Sequence, residues 1–187
     1  MAMFPIPVLG FAAFSGTGKT TLLKKVLPLL KATGLRIAVV KHAHHNFEVD
    51  QAGKDSYELR KAGASPMLIC SSQRLALMLD YDQSREPKLH EVIDFLPLHR
   101  LDAVLVEGFK SETFDKIELH RPAMGKPLLA ETDTNIIAIA TNQPKRLTEQ
   151  CPALPRLDLG NAEQITAFVI TQIEQQRQKL QETCNVG

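Results

Sequence analysis

The chain has 187 residues, 44% of them hydrophobic, and its 22 Lys and Arg against 21 Asp and Glu leave a net charge of +1. That length and apolar content exclude a disordered chain and suit a single α/β domain, residues 1–187, with a full core. The near-neutral charge argues against a large basic nucleic-acid surface, and the widely spaced Cys70, Cys151 and Cys184 fit a reducing cytosol better than a disulfide framework.

Met1–Phe14 is apolar, yet no positive charge precedes Lys19 and the run leads straight into a glycine-rich loop. Pro7–Ala12 is therefore expected as a core strand and not as a signal peptide. No other segment approaches the length of a membrane span, so a cytoplasmic location without membrane contact is expected.

Residues 13–20 read Ala13-Phe14-Ser15-Gly16-Thr17-Gly18-Lys19-Thr20. This is a phosphate-binding loop, set between the first strand and a helix over Thr20–Ala32. Leu22, Leu23, Val26, Leu27 and Leu30 recur in that helix at helical spacing. The glycines let backbone N–H groups turn inward, Lys19 can reach β- and γ-phosphates, and the Thr20 hydroxyl can ligate Mg²⁺. Nucleotide contacts are expected from Ser15, Gly16, Thr17, Gly18, Lys19, Thr20 and Thr21. The pattern G-x-x-x-x-G-K-[ST] departs at one place, Ala13 for the first glycine. The plainer alternative is a Gly/Thr turn that precedes a helix. Pro28 should kink the helix or shift its end.

Arg36–Lys41 reads as a short buried parallel strand. His42, His44 and His45 follow it; they can contact phosphate or a partner, hold a transition metal, or be ordinary loop residues. Lys54–Ala62 reads as a short helix closed by Gly63. Asp55 sits near its start, where a carboxylate can cap free N–H groups. Functionally, Asp50 or Asp55 can serve Mg²⁺ from its outer sphere, Asp50 being the metal candidate, and Arg60 can contact an anion.

Pro66–Ser71 and Leu75–Asp80 are strand candidates, and Lys88–Leu96 is a helix. The strand Leu101–Val106 leads into Glu107-Gly108. Strand ends of a parallel sheet converge on the ligand crevice. Glu107 there can hold Mg²⁺ or polarise an attacking water, which makes it both the catalytic and a metal candidate, and Gly108 can let the backbone approach a γ-phosphate. The alternative is a strand-ending Glu in solvent. Asp102 lies at the opposite end and is the poorer candidate.

Lys116–His120 and Asn135–Ala140 are two further strands. The first is expected at a sheet edge, with Ile117 and Leu119 on an apolar face and Lys116, Glu118 and His120 on a polar one, open to a second chain. Proline-rich sequence follows, and Ala162–Leu180 closes the chain as an amphipathic helix. Strands alternating with helices predict an α/β fold with a mainly parallel sheet flanked by helices.

Four segments together resemble the MobB family, molybdopterin-guanine dinucleotide biosynthesis protein B. They are Ser-Gly-Thr-Gly-Lys-Thr-Thr-Leu at 15–22, Lys-His-x-His-His at 41–45, Gly-Lys-Asp-Ser-x-x-x-Arg-x-Ala-Gly-Ala at 53–64 and Leu-Val-Glu-Gly-Phe-Lys at 105–110. The resemblance runs over residues 7–142. It implies a P-loop NTPase fold, GTP binding with weak hydrolysis, a homodimer, and an adaptor role beside the guanylyltransferase that attaches GMP to molybdopterin. The Glu-Gly pair also resembles that of dethiobiotin synthetase and the nickel-insertion GTPases. Guanine is commonly read by Asn-Lys-x-Asp after a late strand. Here that place reads Thr141-Asn142-Gln143-Pro144-Lys145. Asn142 fits and is a nucleotide-binding candidate; the Lys and Asp are missing, so ATP stays open beside GTP. The other functions that fit the residues are a small-molecule kinase with Asp50 or Asp55 as base, and a metal-delivery GTPase using the histidines.

Overall fold

The computed structural model describes residues 4–43, 47–143 and 153–185. The chain forms two compact units, one from Met1–His42 with Lys88–Gly187, the other from Ala43–Pro87. In chain order the first unit holds β1 (Val8–Ala12), α1 (Lys19–Ala32) and β2 (Ile37–Lys41). The second holds α2 (Asp55–Lys61), β3 (Met67–Cys70) and β4 (Leu75–Met78). The first then resumes with α3 (Leu89–Ile93), β5 (Ala103–Glu107), β6 (Lys116–His120), β7 (Ile136–Thr141), β8 (Arg156–Asp158) and α4 (Ala162–Asn185).

The first unit is a six-stranded sheet in the order β2-β5-β1-β6-β7-β8, parallel at every pairing. One face packs Leu9, Phe11, Leu105 and Ile117 against Leu22, Val26 and Leu30 of α1 and Ile165 and Val169 of α4. The other packs Val8, Val104 and Val106 against Leu89 and Ile93 of α3, with Phe109 and Phe114. Both faces of the central strands are covered, which is why they read as apolar runs; β2, at the sheet edge, is less buried than expected, with Val39 41% exposed. The expected α/β fold with a parallel sheet flanked by helices is what forms. Helix α1 continues past Pro28 to Ala32. Proline removes one N–H donor there, but the buried Leu22, Leu23, Val26 and Leu30 hold the helix to the core.

Strand β6 corrects one expectation. It is not an edge strand: it pairs with β1 on one side and β7 on the other, and all five of its residues are buried. Its alternation is as read, with Ile117 and Leu119 in the main core. The polar face is covered as well. Lys116 Nζ donates to Asp133 Oδ2 at 2.9 Å and to the Glu112 carbonyl at 2.6 Å. Glu118 accepts from the N–H groups of Leu129 and Ala130 at 2.8 and 2.9 Å. The connection from β6 to β7 is thus held by two buried polar side chains, Lys116 and Glu118. Burial pushes the Glu118 carboxyl up against the opposing effect of those two N–H groups, and pushes the His120 imidazole down. The charges that suggested a solvated edge are internal partners.

Strand β8 was not expected, because it is three residues long and directly follows Pro155. Asp102, the poorer site candidate, is structural. It accepts from Arg36 Nε at 2.9 Å and from Arg177 Nη2 at 2.8 Å, tying β2 and α4 to the start of β5. The Arg36 guanidinium, together with the Arg36 backbone N–H, lowers its carboxyl to about 2. A depressed carboxylate contributes stability that is present above its unfolded value, about pH 4, and lost as pH falls through the folded value. Asp102→Asn should therefore lower the thermal midpoint at pH 7 and flatten the loss of stability between about pH 4 and pH 2. Thermal melts across that range check it; a variant with the wild-type acid limb would contradict it.

In the second unit β3 and β4 form an antiparallel pair, with Met67 opposite Met78 and Cys70 opposite Leu75. They make a separate two-stranded sheet and take no part in the parallel one.

Candidate functional site

The loop between β1 and α1 takes the conformation its glycines demand. Gly16 and Gly18 have φ of 79° and 106°, in the left-handed region where a side chain is strained. Gly18 is the residue that caps α1, with no side-chain capping bond and no acid in the first turn. The free N–H groups and the positive end of the helix dipole are therefore available to an anion. Thr17 is buried, and its hydroxyl donates to the Phe14 carbonyl at 2.8 Å. Ser15, Thr20 and Thr21 are exposed.

Lys19 bends back over the loop, and its Nζ donates to the Ala13 carbonyl at 3.2 Å. Its pKa is lowered, first by burial and then by Lys110, with Lys41 adding to the effect and Glu107 opposing it. Three lysines thus crowd one carboxylate. Phe14 lies among further cations, with Lys110 Nζ 5.4 Å and Lys126 Nζ 5.9 Å from its ring centroid. A basin with this excess of positive charge is stabilised by a polyanion.

Glu107 ends β5, level with Phe11 of β1 on one side and Lys41 of β2 on the other. Its Oε1 is 4.0 Å from Lys41 Nζ. The strand ends bring Glu107 and the phosphate loop to the same edge of the sheet, as expected for a parallel arrangement. Gly108 has φ of 104°, and a Cβ there would come within 2.6 Å of His42 Cβ. The glycine is thus required by the close approach of His42, whose N–H donates to the Glu107 carbonyl at 2.8 Å and whose ring stacks on Phe109. Asn142 is exposed just beyond β7, at the same carboxyl edge. His44 and His45 lie outside the described residues, as does Lys145.

Asp50 belongs to the second unit. There Arg60, with only 8% of its side chain exposed, donates to Asp50 at 2.9 Å, Asp80 at 3.2 Å and Glu48 at 2.6 Å. Asp50, then Asp80, then Glu48 raise the guanidinium further above its already high ordinary value. Arg60 is thus occupied by carboxylates of its own unit. Asp55 is the first residue of α2 and follows the capping Lys54, with no side-chain cap at this end; its carboxylate lies at the positive end of the helix dipole.

Three residues lie outside the sequence motifs: Arg121, Met124 and Lys126. Arg121 Nε donates to the Thr17 carbonyl at 2.9 Å. Met124 Sδ lies 3.7 Å from the Thr17 hydroxyl oxygen. Lys126 Nζ lies over the ring of Phe14 in the loop. The one available signal was a basic residue directly after a strand at the carboxyl edge. A cavity of about 400 Å³ is lined by Ala12, Lys110, Ser111, Asp133 and Asn135 among others.

The sequence model of a family described as molybdopterin guanine dinucleotide synthesis protein B (MobB) matches residues 8–142. The chain is similar to the molybdopterin-guanine dinucleotide biosynthesis adapter protein of Escherichia coli K12, 44% identical over 172 residues that cover 91% of this chain and 95% of the relative. It is similar to the adapter protein of the same description from Haemophilus influenzae, 40% identical over 164 residues, 88% of each chain. Among solved structures it is similar to Bacillus subtilis MobB, with a TM-score of 0.68 and 25% identity, covering 89% of this chain and 98% of that one.

Proposed function

Because the chain belongs to the molybdopterin guanine dinucleotide synthesis protein B (MobB) family, we propose that it is a GTP-binding adapter with slow GTPase activity. Its role in molybdopterin-guanine dinucleotide biosynthesis as an adapter follows from that membership. The finer reading is that it binds GTP, with ATP as the alternative, at residues 15–21, Gly108 and Asn142. It then works beside the molybdopterin guanylyltransferase and its molybdopterin in the cytoplasm. No described helix is long and apolar enough to cross a membrane.

One observation carries the nucleotide reading: a loop with two left-handed glycines opens an uncapped helix whose Lys19 lies within reach of the charges of Lys41 and Lys110. Thr20 at the start of α1 and Glu107 at the end of β5 supply the hard oxygen donors that Mg²⁺ prefers. Mg²⁺ there would neutralise phosphate charge. Glu107 is the group to orient water, with Lys41 beside it as counter-charge. Asp50 has Arg60 as its own counter-charge.

The cavity next to Lys110 gives the kinase alternative an acceptor-sized space, but not a base. Burial works to raise the Asp133 pKa, yet its bonds to Lys116 and Asn135 outweigh that and leave it lowered. A carboxylate held ionised by two partners is a poor proton acceptor. Phosphate release from GTP without any acceptor tests the reading. Slow, Mg²⁺-dependent release is expected; transfer that begins only when a small-molecule acceptor is added would favour a kinase.

Since β6 is internal, a homodimer would form through the β3–β4 hairpin. Leu68, Leu75 and Leu77 are exposed at 54%, 65% and 43%, and all three fall on one face of the antiparallel pair. A two-stranded sheet alone is marginal in water, and among the described residues no further strand pairs with its outer edges. A second copy presenting the same face across a two-fold axis would cover these leucines. Light scattering over a tenfold concentration range should give the mass of two chains, and Leu75→Glu with Leu77→Glu the mass of one. A wild-type mass of one chain throughout would sink the dimer.

A further inference from the structure

Arg121 follows β6 directly, at the carboxyl edge of the sheet. Its Nε donates to the Thr17 carbonyl at 2.9 Å. Its Nη2 lies 3.8 Å from where a Cβ on Gly18 would stand. Arg36, Arg60 and Arg177 all reach carboxylates. Among the described residues no carboxylate pairs with Arg121, and Nη1 and Nη2 have no hydrogen-bond partner. A guanidinium carries five donors in a fixed fork, of which the loop engages one.

The arm is held in place before any ligand arrives. The chain turns sharply at Pro122–Met124 after Arg121, and Met124 reaches the Thr17 hydroxyl oxygen. Farther along, the N–H groups of Leu129 and Ala130 are anchored on the buried Glu118. The connection is therefore fixed at both ends, and its first residue leans on the glycine that opens α1. A preset cation loses little freedom on binding, so its contact contributes more of its strength to affinity.

We propose that Arg121 is a second cationic arm of the phosphate site. Nε braces the Thr17 carbonyl, while the two Nη groups take oxygens from the phosphate chain of a nucleoside di- or triphosphate. Lys19 supplies a point charge from within the loop; Arg121 supplies a planar fork from a different strand. This rests on the reading of the loop as a nucleotide site.

Isothermal titration of Mg²⁺-GTP into wild type, Arg121→Ala, Arg121→Gln and Arg121→Lys tests it, with a thermal melt of each nucleotide-free protein. Gln keeps a neutral donor for the Thr17 carbonyl and removes the charge. Lys keeps the charge and loses the fork. The Ala and Gln variants should bind about tenfold or more weakly, and Lys should recover part of the loss, with nucleotide-free midpoints near wild type. Wild-type affinity in the Gln variant would show bracing alone and overturn the proposal, as would wild-type affinity in the Ala variant. If Arg121→Ala fails to fold, the Gln and Lys pair decides by itself. A wild-type protein that binds neither GTP nor ATP overturns the nucleotide site itself, a result distinct from variants that match a binding wild type.

Discussion

Lys19→Ala should abolish tight GTP binding and leave the fold intact. The ammonium now rests on the Ala13 carbonyl, in a crowd of lysines that lowers its pKa after burial has done so. A phosphate chain would replace that weak contact with charge-assisted bonds. Losing such bonds at a half-buried site costs about 3 kcal/mol or more, a loss of about 100-fold or greater in affinity. The nucleotide-free protein loses one charge from a repulsive group, so its thermal midpoint should not fall. Titration and a melt on the same sample separate the two effects. A folded variant that binds GTP as wild type does would show that the loop is not the phosphate site.

Glu107→Gln should reduce hydrolysis far more than affinity. The change keeps the shape of the side chain at the end of β5 and removes the carboxylate next to Lys41. Positioned acid–base groups contribute about 100-fold or more to rate, and a group confined to the reaction step lowers kcat without weakening binding. Glu107 is also the charge that opposes Lys110 and Lys41 in its effect on Lys19. Its removal makes the basin more positive, which offsets part of what Mg²⁺-GTP loses with the carboxylate donor, so affinity should fall much less than turnover. Single-turnover phosphate release with saturating enzyme reads the chemical step directly. Unchanged turnover with intact binding would place Glu107 outside the reaction.

The parts of the site that were legible in the sequence are those carried by local pattern. The loop from Ser15 to Thr21 needs two glycines and a lysine within a few residues, and these lie in one stretch of chain. Glu107 was legible because a carboxylate ending an apolar run must emerge at one edge of a parallel sheet. What was not legible depends on pairing across the chain. The alternation of Lys116, Ile117, Glu118, Leu119 and His120 is the same at an edge or in the middle. The partners that settle it, Asp133 and the N–H groups of Leu129 and Ala130, come from a later connection. Arg121 was missed for the same reason, since its contact with Thr17 spans 104 residues. Arg60 invited an anion, but Glu48, Asp50 and Asp80 converge on it only after the second unit folds. Strand β8 has too few residues to show a period, and the proline before it argued for a loop.

The central claim is that the loop after β1 binds a nucleoside triphosphate with Mg²⁺. Isothermal titration of GTP and of ATP into the wild-type protein, with and without Mg²⁺, tests it most directly. The account predicts one saturable site per chain for GTP, tighter with Mg²⁺ than without. No heat and no saturation from either nucleotide up to about 1 mM, a ceiling that still detects binding worth about 4 kcal/mol, would contradict it.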